Sequence, residues 1–161
     1  MRKISLLFVS IALLLSGCAS SGEVVAQHLW VKSSEMSTKG GMTAVYGTLI
    51  NKTSQDVVLV GGTTEIAAVV EVHEMSMIGG EMKMQEIDGG LTIPAGKSIV
   101  LEPGGNHLML MMLNDDLEAG EEISVTFDFD GAEDITVDGV VAKPAEGGDE
   151  EYHSGEMESD D

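Results

Sequence analysis

Residues 122–130 read EISVTFDFD, and successive side chains take opposite sides of the chain. Ile123, Val125, Phe127 and Phe129 fall on one face, and Ser124, Thr126, Asp128 and Asp130 on the other. A period of two is the mark of a half-buried strand, with one face packed and one wet. The same alternation, or an enrichment in β-branched residues, recurs over residues 27–32, 42–51, 56–60, 67–75, 81–87, 98–102, 107–113 and 134–141. Glycine pairs at 40–41, 61–62, 79–80, 89–90 and 104–105 punctuate these runs, and IPAGK at 93–97 is a turn. No stretch carries a 3.6-residue apolar stripe beyond a single turn near LNDDLEAG, residues 113–120. Many short strands at this spacing predict an all-β domain, an antiparallel sandwich or barrel. There is no internal repeat and no sign of a second domain.

The chain opens MRKISLLFVSIALLLSGCAS. Arg2 and Lys3 make a short positive region, and residues 4–15 are an apolar run of signal-peptide length, too short to span a bilayer. LSGC, ending at Cys18, resembles a bacterial lipobox. That resemblance implies a signal peptide over 1–17, cleavage before Cys18 and lipidation of this residue. A linker over 18–26 would follow, then a folded domain over 27–143. Several acyl chains on one residue anchor a protein stably, where a single chain does not. Alanine rather than aspartate at position 19 favours the outer over the inner membrane. Cys18 is the sole cysteine, so the mature domain has no disulfide, thiol nucleophile or thiolate ligand, and must hold together by burial alone.

Without Arg2 and Lys3, 6 lysines stand against 28 acidic residues, a formal charge of −22 against −20 for the whole chain. Nucleic acid needs basic patches, and this chain has none to offer. Docking on anionic lipid through the protein surface is excluded for the same reason. Contact with a membrane is through the lipid anchor only, and the negative field concentrates cations. Residues 144–161, PAEGGDEEYHSGEMESDD, lack apolar periodicity and read as an acidic disordered tail; His153 and Met157 within it could touch a metal weakly.

Histidine and methionine gather in two places. NHLMLMML, residues 106–113, contains His107, Met109, Met111 and Met112; VHEMSMIGGEMKM, residues 72–84, contains His73, Met75, Met77, Met82 and Met84. In a strand His107, Met109 and Met111 share a face, while Leu108, Leu110 and Met112 take the other. If the leucine face is the core, His107 and Met109 need some other reason for their position. A hairpin at MIGGEM would return Met84 beside His73. Should that edge meet His107 and Met109, two imidazoles and two thioethers converge. Thioethers are soft, neutral ligands that select Cu(I), and Ag(I) likewise, over zinc, magnesium or calcium. They also avoid the oxidation to which an exported thiol is prone. Glu74, Glu81 and Glu86 lie near enough in sequence to offset part of the ion's charge. The lack of a thiolate rules out a blue-copper electron-transfer centre.

VHEMSMIGGEMKMQEI, LTIPAG, LEPGGNHLMLMML and LEAGEEISVTFDFDG together resemble the periplasmic copper chaperone family PCuAC. The resemblance covers about residues 30–141. The family pattern is a histidine, ten residues, a methionine, about twenty-one residues, then histidine-any-methionine. His73, Met84, His107 and Met109 fill it, with one residue more than the commonest spacing before His107. This implies a cupredoxin-like, Greek-key β-sandwich holding one Cu(I) at an exposed site. It further implies delivery toward the CuA centre in cytochrome c oxidase subunit II alongside Sco-type proteins. Met75, Met77 and Met111 are expected to line or shield the site, Met82 is the rival of Met84, and His28 beside Trp30 reads as structural.

No serine-histidine-aspartate set, phosphate-cradling loop or paired-carboxylate site stands out, so no catalysis is expected. Two other readings are a lipoprotein that sequesters copper or silver for tolerance, and a purely structural surface lipoprotein whose methionines are core.

Overall fold

The computed structural model describes residues 22–144. The predicted signal peptide, Cys18 and the tail residues His153 and Met157 lie outside the described residues. The described residues contain ten strands: β1 Val24–Ser33, β2 Met42–Asn51, β3 Val57–Thr63, β4 Ala67–Ile78, β5 Glu81–Glu86, β6 Leu91–Ile93, β7 Ser98–Leu101, β8 His107–Leu113, β9 Glu122–Asp130 and β10 Ile135–Pro144. Among the described residues there is no helix; of the LNDDLEAG segment, Leu113 ends β8 and residues 114–120 are turn and irregular chain.

The strands form a β-sandwich from one continuous hydrogen-bonded path, β5-β4-β8-β2-β1-β10-β9-β3-β6, with β7 joined to β2. Strand order departs from chain order, as a Greek-key arrangement requires. Nearly every pair is antiparallel. The exception corrects the antiparallel expectation: β1 and β10 run parallel from Trp30↔Val141 to Ser33↔Pro144. Two strands so far apart in sequence meet through tertiary packing, and no local pattern fixes their relative direction.

The alternation of β9 is realised. Ile123, Val125, Phe127 and Phe129 are buried in the main core. Leu108 and Leu110 of β8, Val72 of β4, Val45 and Leu49 of β2 and Leu59 of β3 join them. β2 changes partner midway, pairing with β8 from Met42 to Val45 and with β7 from Gly47 to Ile50. Gly47 sits at this changeover and lies close against β1, where the β1–β2 register shifts. Its φ is +145°, and a Cβ there would stand 2.6 Å from Leu29 Cδ2 and 2.9 Å from the Gln27 carbonyl oxygen.

Two expectations need correction. β6 lies within a stretch read as loop and turn; its three residues are too few to show a period, and pairing with β3, Val57↔Ile93, makes it a strand. Met112 leaves the leucine face of β8: its φ is +55° and it is 61% exposed, while Leu113 takes the core position.

Candidate metal site

β4 and β8 lie side by side in antiparallel register, with Val72↔Leu108 and Val70↔Leu110 on the core face. The other face carries His73↔His107 and Glu71↔Met109. The two imidazoles, 34 positions apart in the numbering, are thus direct cross-strand neighbours, their ring centroids 5.9 Å apart. His73 is also where β4 begins to pair with β5. The ladder runs His73↔Glu86, Met75↔Met84, Met77↔Met82 to Ile78↔Glu81. Gly79 and Gly80, both with positive φ, close it as a two-residue hairpin. The hairpin folds Met84 back until its Sδ lies 3.2 Å from His107 Nε2.

Met109 sits on the same face of β8 as His107. It packs with Ala44 and Tyr46 in a small second apolar cluster, against which Trp30, Met42, Met84 and Met111 also pack. Tyr46 links the aromatic and imidazole groups: its ring centroid is 4.7 Å from Trp30 and 6.2 Å from His107. Of the four candidate ligands, Met109 is 1% exposed, His107 2% and His73 8%, and Met84 is half-buried. The exposed site that the family resemblance implies is therefore replaced by a covered one, with Met84 as its most accessible member.

The hydrogen bonds assign the ring protons. His107 Nδ1 lies 3.0 Å from the Gly105 carbonyl oxygen. A carbonyl only accepts, so Nδ1 carries the proton and Nε2, facing the Met84 sulfur, offers its lone pair. His73 Nε2 donates to Glu71 Oε2 at 2.9 Å, which leaves Nδ1 of the neutral ring with the lone pair. That Nδ1 is buried and has no hydrogen-bond partner; Ser76 Oγ is the other such side-chain atom among the described residues. A buried polar atom without a partner costs stability. Burial drives the His107 pKa below 6.5; its hydrogen bond to Gly105 opposes this and the neighbouring His73 adds to it.

Glu71 is the residue the sequence reading missed. The signal was present, since Glu71 and His73 are two apart on one strand and so share a face. Its role is positional: a carboxylate behind an imidazole fixes tautomer and ring orientation. Met82, the rival of Met84, lies farther out on the hairpin, opposite Met77 and 52% exposed. Met111 packs on the Met109 cluster, and Met75 is half-buried opposite Met84. His28 is exposed, with a φ of +55° where the β1–β2 register shifts. Among the described residues no three His, Cys, Asp or Glu gather as a metal cluster. The donor set assembled here is one of imidazoles and thioethers.

Comparison with solved structures finds the copper-bound PCuAC domain from PmoF2, with a TM-score of 0.60, 21% identity and coverage of 78% of this chain and 97% of that one. DR1885 from Deinococcus radiodurans is similar in two forms. Its apo solution structure has a TM-score of 0.55 at 29% identity over 91% of this chain and 97% of that one. Its CuI solution structure has a TM-score of 0.53 at 27% identity over 80% and 83%. In sequence, a Leifsonia xyli subsp. xyli (strain CTCB07) protein named "Putative lipoprotein Lxx21020" is 39% identical over 129 residues, 80% of this chain and 75% of that one. Residues 24–141, most of the chain, match the family described as "Putative lipoprotein LpqE-like". On that match and that relative, this chain belongs to the LpqE-like lipoprotein family.

Proposed function

We propose that this protein is a Cu(I) chaperone whose ligands are His73, Met84, His107 and Met109. The observation that carries the reading is the treatment of the two imidazoles. Each has one nitrogen tied to an acceptor, Glu71 for His73 and Gly105 for His107. Each keeps its other nitrogen unprotonated, one buried without a partner and one against a thioether. An incoming soft cation satisfies that orphaned nitrogen. The likeness to DR1885, solved with CuI, supports the choice of metal.

The chemistry is transport. Four neutral donors hold a monovalent ion without proton release and without the tight grip of a thiolate, which suits a carrier that must give up its cargo. Burial of three donors keeps water from the ion, and Met84 covers it. The chain acts outside the cytoplasm as a periplasmic lipoprotein. In this reading residues 1–17 are removed, lipid on Cys18 tethers the body at the outer membrane, the linker ends before β1 begins at Val24 and not at residue 26, and the acidic tail that follows β10 aids solubility. Copper passes toward the CuA site of cytochrome c oxidase subunit II with Sco-type partners, and no reaction is catalysed.

Competition against a Cu(I) chelator tests the site. Wild type should withdraw copper from the chelator, and the H107A/M109A variant should not. Equal retention by both ends the proposal. X-ray absorption should count two nitrogen and two sulfur neighbours around the ion. A ligand that binds only the native state raises the unfolding midpoint, so a midpoint unmoved by Cu(I) would favour a merely structural role for the methionines.

A further inference from the structure

β4 outruns the sheet. Its ladder with β8 stops at His73↔His107, while its ladder with β5 continues to Ile78↔Glu81. Beyond His73 the two strands make an arm. Residues directly opposed in an antiparallel pair project from one face, with Cβ atoms about 5 Å apart. One face of the arm therefore carries Met75 with Met84 and, farther out, Met77 with Met82, in line with His73 at the root. The other face carries Glu74 with Gln85 and Ser76 with Lys83. The Gln85 side chain donates to Glu74 at 3.0 Å there.

Burial does not account for the outer methionines. Met77 is 65% exposed and Met82 52%. Single exposed apolar residues are ordinary. Four thioethers in two registered pairs, on one face and leading to a buried imidazole, are a different matter. Each step of two residues along a strand covers about 7 Å, so the outer pair lies about 13 Å from His73.

We infer that Met77 and Met82 form an outer soft-metal site, which receives a monovalent ion and passes it through Met75 and Met84 to His73 and His107. This inference rests on the copper reading of the inner set. At each exchange a metal–sulfur bond to the inner pair forms as one to the outer pair breaks. The ion stays monovalent, and no electron or proton moves. Met84, half-buried and 3.2 Å from His107 Nε2, belongs both to the middle step of the route and to its inner end. Thioethers do not titrate, so uptake at the outer pair is independent of pH.

The experiment is a titration of the full-length mature protein with Ag(I), a redox-inert soft probe, read by methionine-methyl NMR. The methyls of Met84 and Met109 should shift over the first equivalent, and those of Met77 and Met82 together over the second. Stopped-flow quenching of Trp30, the single tryptophan, should show Ag(I) uptake slowed about tenfold in M77L/M82L. That variant replaces exposed thioethers with apolar chains of similar size, and an unchanged unfolding midpoint verifies its fold. If the inner methyls shift while Met77 and Met82 stay still through two equivalents, the outer site is overturned and the inner site stands. A wild-type uptake rate in M77L/M82L overturns the relay. If no methyl moves, both readings fall.

Discussion

The sulfur of Met84 lies 3.2 Å from Nε2 of His107, although 23 positions separate them in the chain. The β4–β5 hairpin creates this contact, and Gly105 and Glu71 prepare the imidazoles around it. The same packing divides the labour within the site. Met109 and His107 are set in the sheet, while Met84 belongs to a strand on its margin.

Met109 fills space and offers sulfur, and the two roles separate by substitution. Met109→Leu keeps volume and apolar character and should cost under about 1.5 kcal/mol of copper-free stability. Met109→Ala opens a cavity beside Tyr46 and Ala44 and should cost about 3 kcal/mol. Both should lose Cu(I) affinity to a similar degree. Chemical denaturation with chelator competition measures each, and full affinity in Met109→Leu would remove Met109 from the ligand set.

Glu71 should matter through His73 alone. Glu71→Ala frees the Nε2 proton of His73, and the ring can then present either nitrogen. Cu(I) affinity should fall about 10- to 100-fold, the usual effect of removing the group behind a metal-binding histidine. Glu71→Gln keeps an acceptor at that position and should restore part of the loss. Chelator competition on the pair decides it. Equal losses would point to charge and not orientation.

The depressed His107 pKa sets a pH dependence for the copper-free protein. Below 6.5, the ordinary value, the unfolded chain takes up a proton there before the folded one does. Stability therefore falls as pH drops through 6.5 and goes on falling until the lower folded-state pKa is reached. Above 6.5 both states are neutral at this residue and the contribution vanishes. His107→Gln should flatten the fall between pH 8 and pH 5. Denaturant midpoints across that range provide the measurement, and parallel curves for the two proteins would contradict it.

Asn51 gives a test of the fold away from the site. Its buried side chain donates to the Gln55 and Ile93 carbonyls at 2.8 and 2.9 Å and accepts from Thr53 N at 2.9 Å. Asn51→Ala leaves these groups unpaired and should cost about 2 kcal/mol, with Cu(I) affinity unaltered. A change in affinity would show that the two ends of β2 are coupled.

Much of this protein was legible in its sequence because strands of seven to ten residues repeat a period of two often enough to be read. The bounds of β2, β8 and β9 are those read from alternation and β-branched enrichment together, and the separation of Leu108 and Leu110 from His107 and Met109 follows from the alternation. The Gly79–Gly80 hairpin was legible too, since two successive positive φ angles favour glycine. So was the fact that soft donors cluster in two segments of a thiol-free domain.

Tertiary structure alone decided how those segments meet. β6 is too short to announce itself, the parallel β1–β10 pair joins the two ends of the domain, and Met112 breaks the face its neighbours obey. Register between β4 and β8 placed His73 opposite His107, and register between β4 and β5 left Met84, not Met82, against Nε2. Side-chain periodicity is a property of one strand. Register, burial and the partner of each ring nitrogen depend on which strands pack together, and so belong to the folded chain.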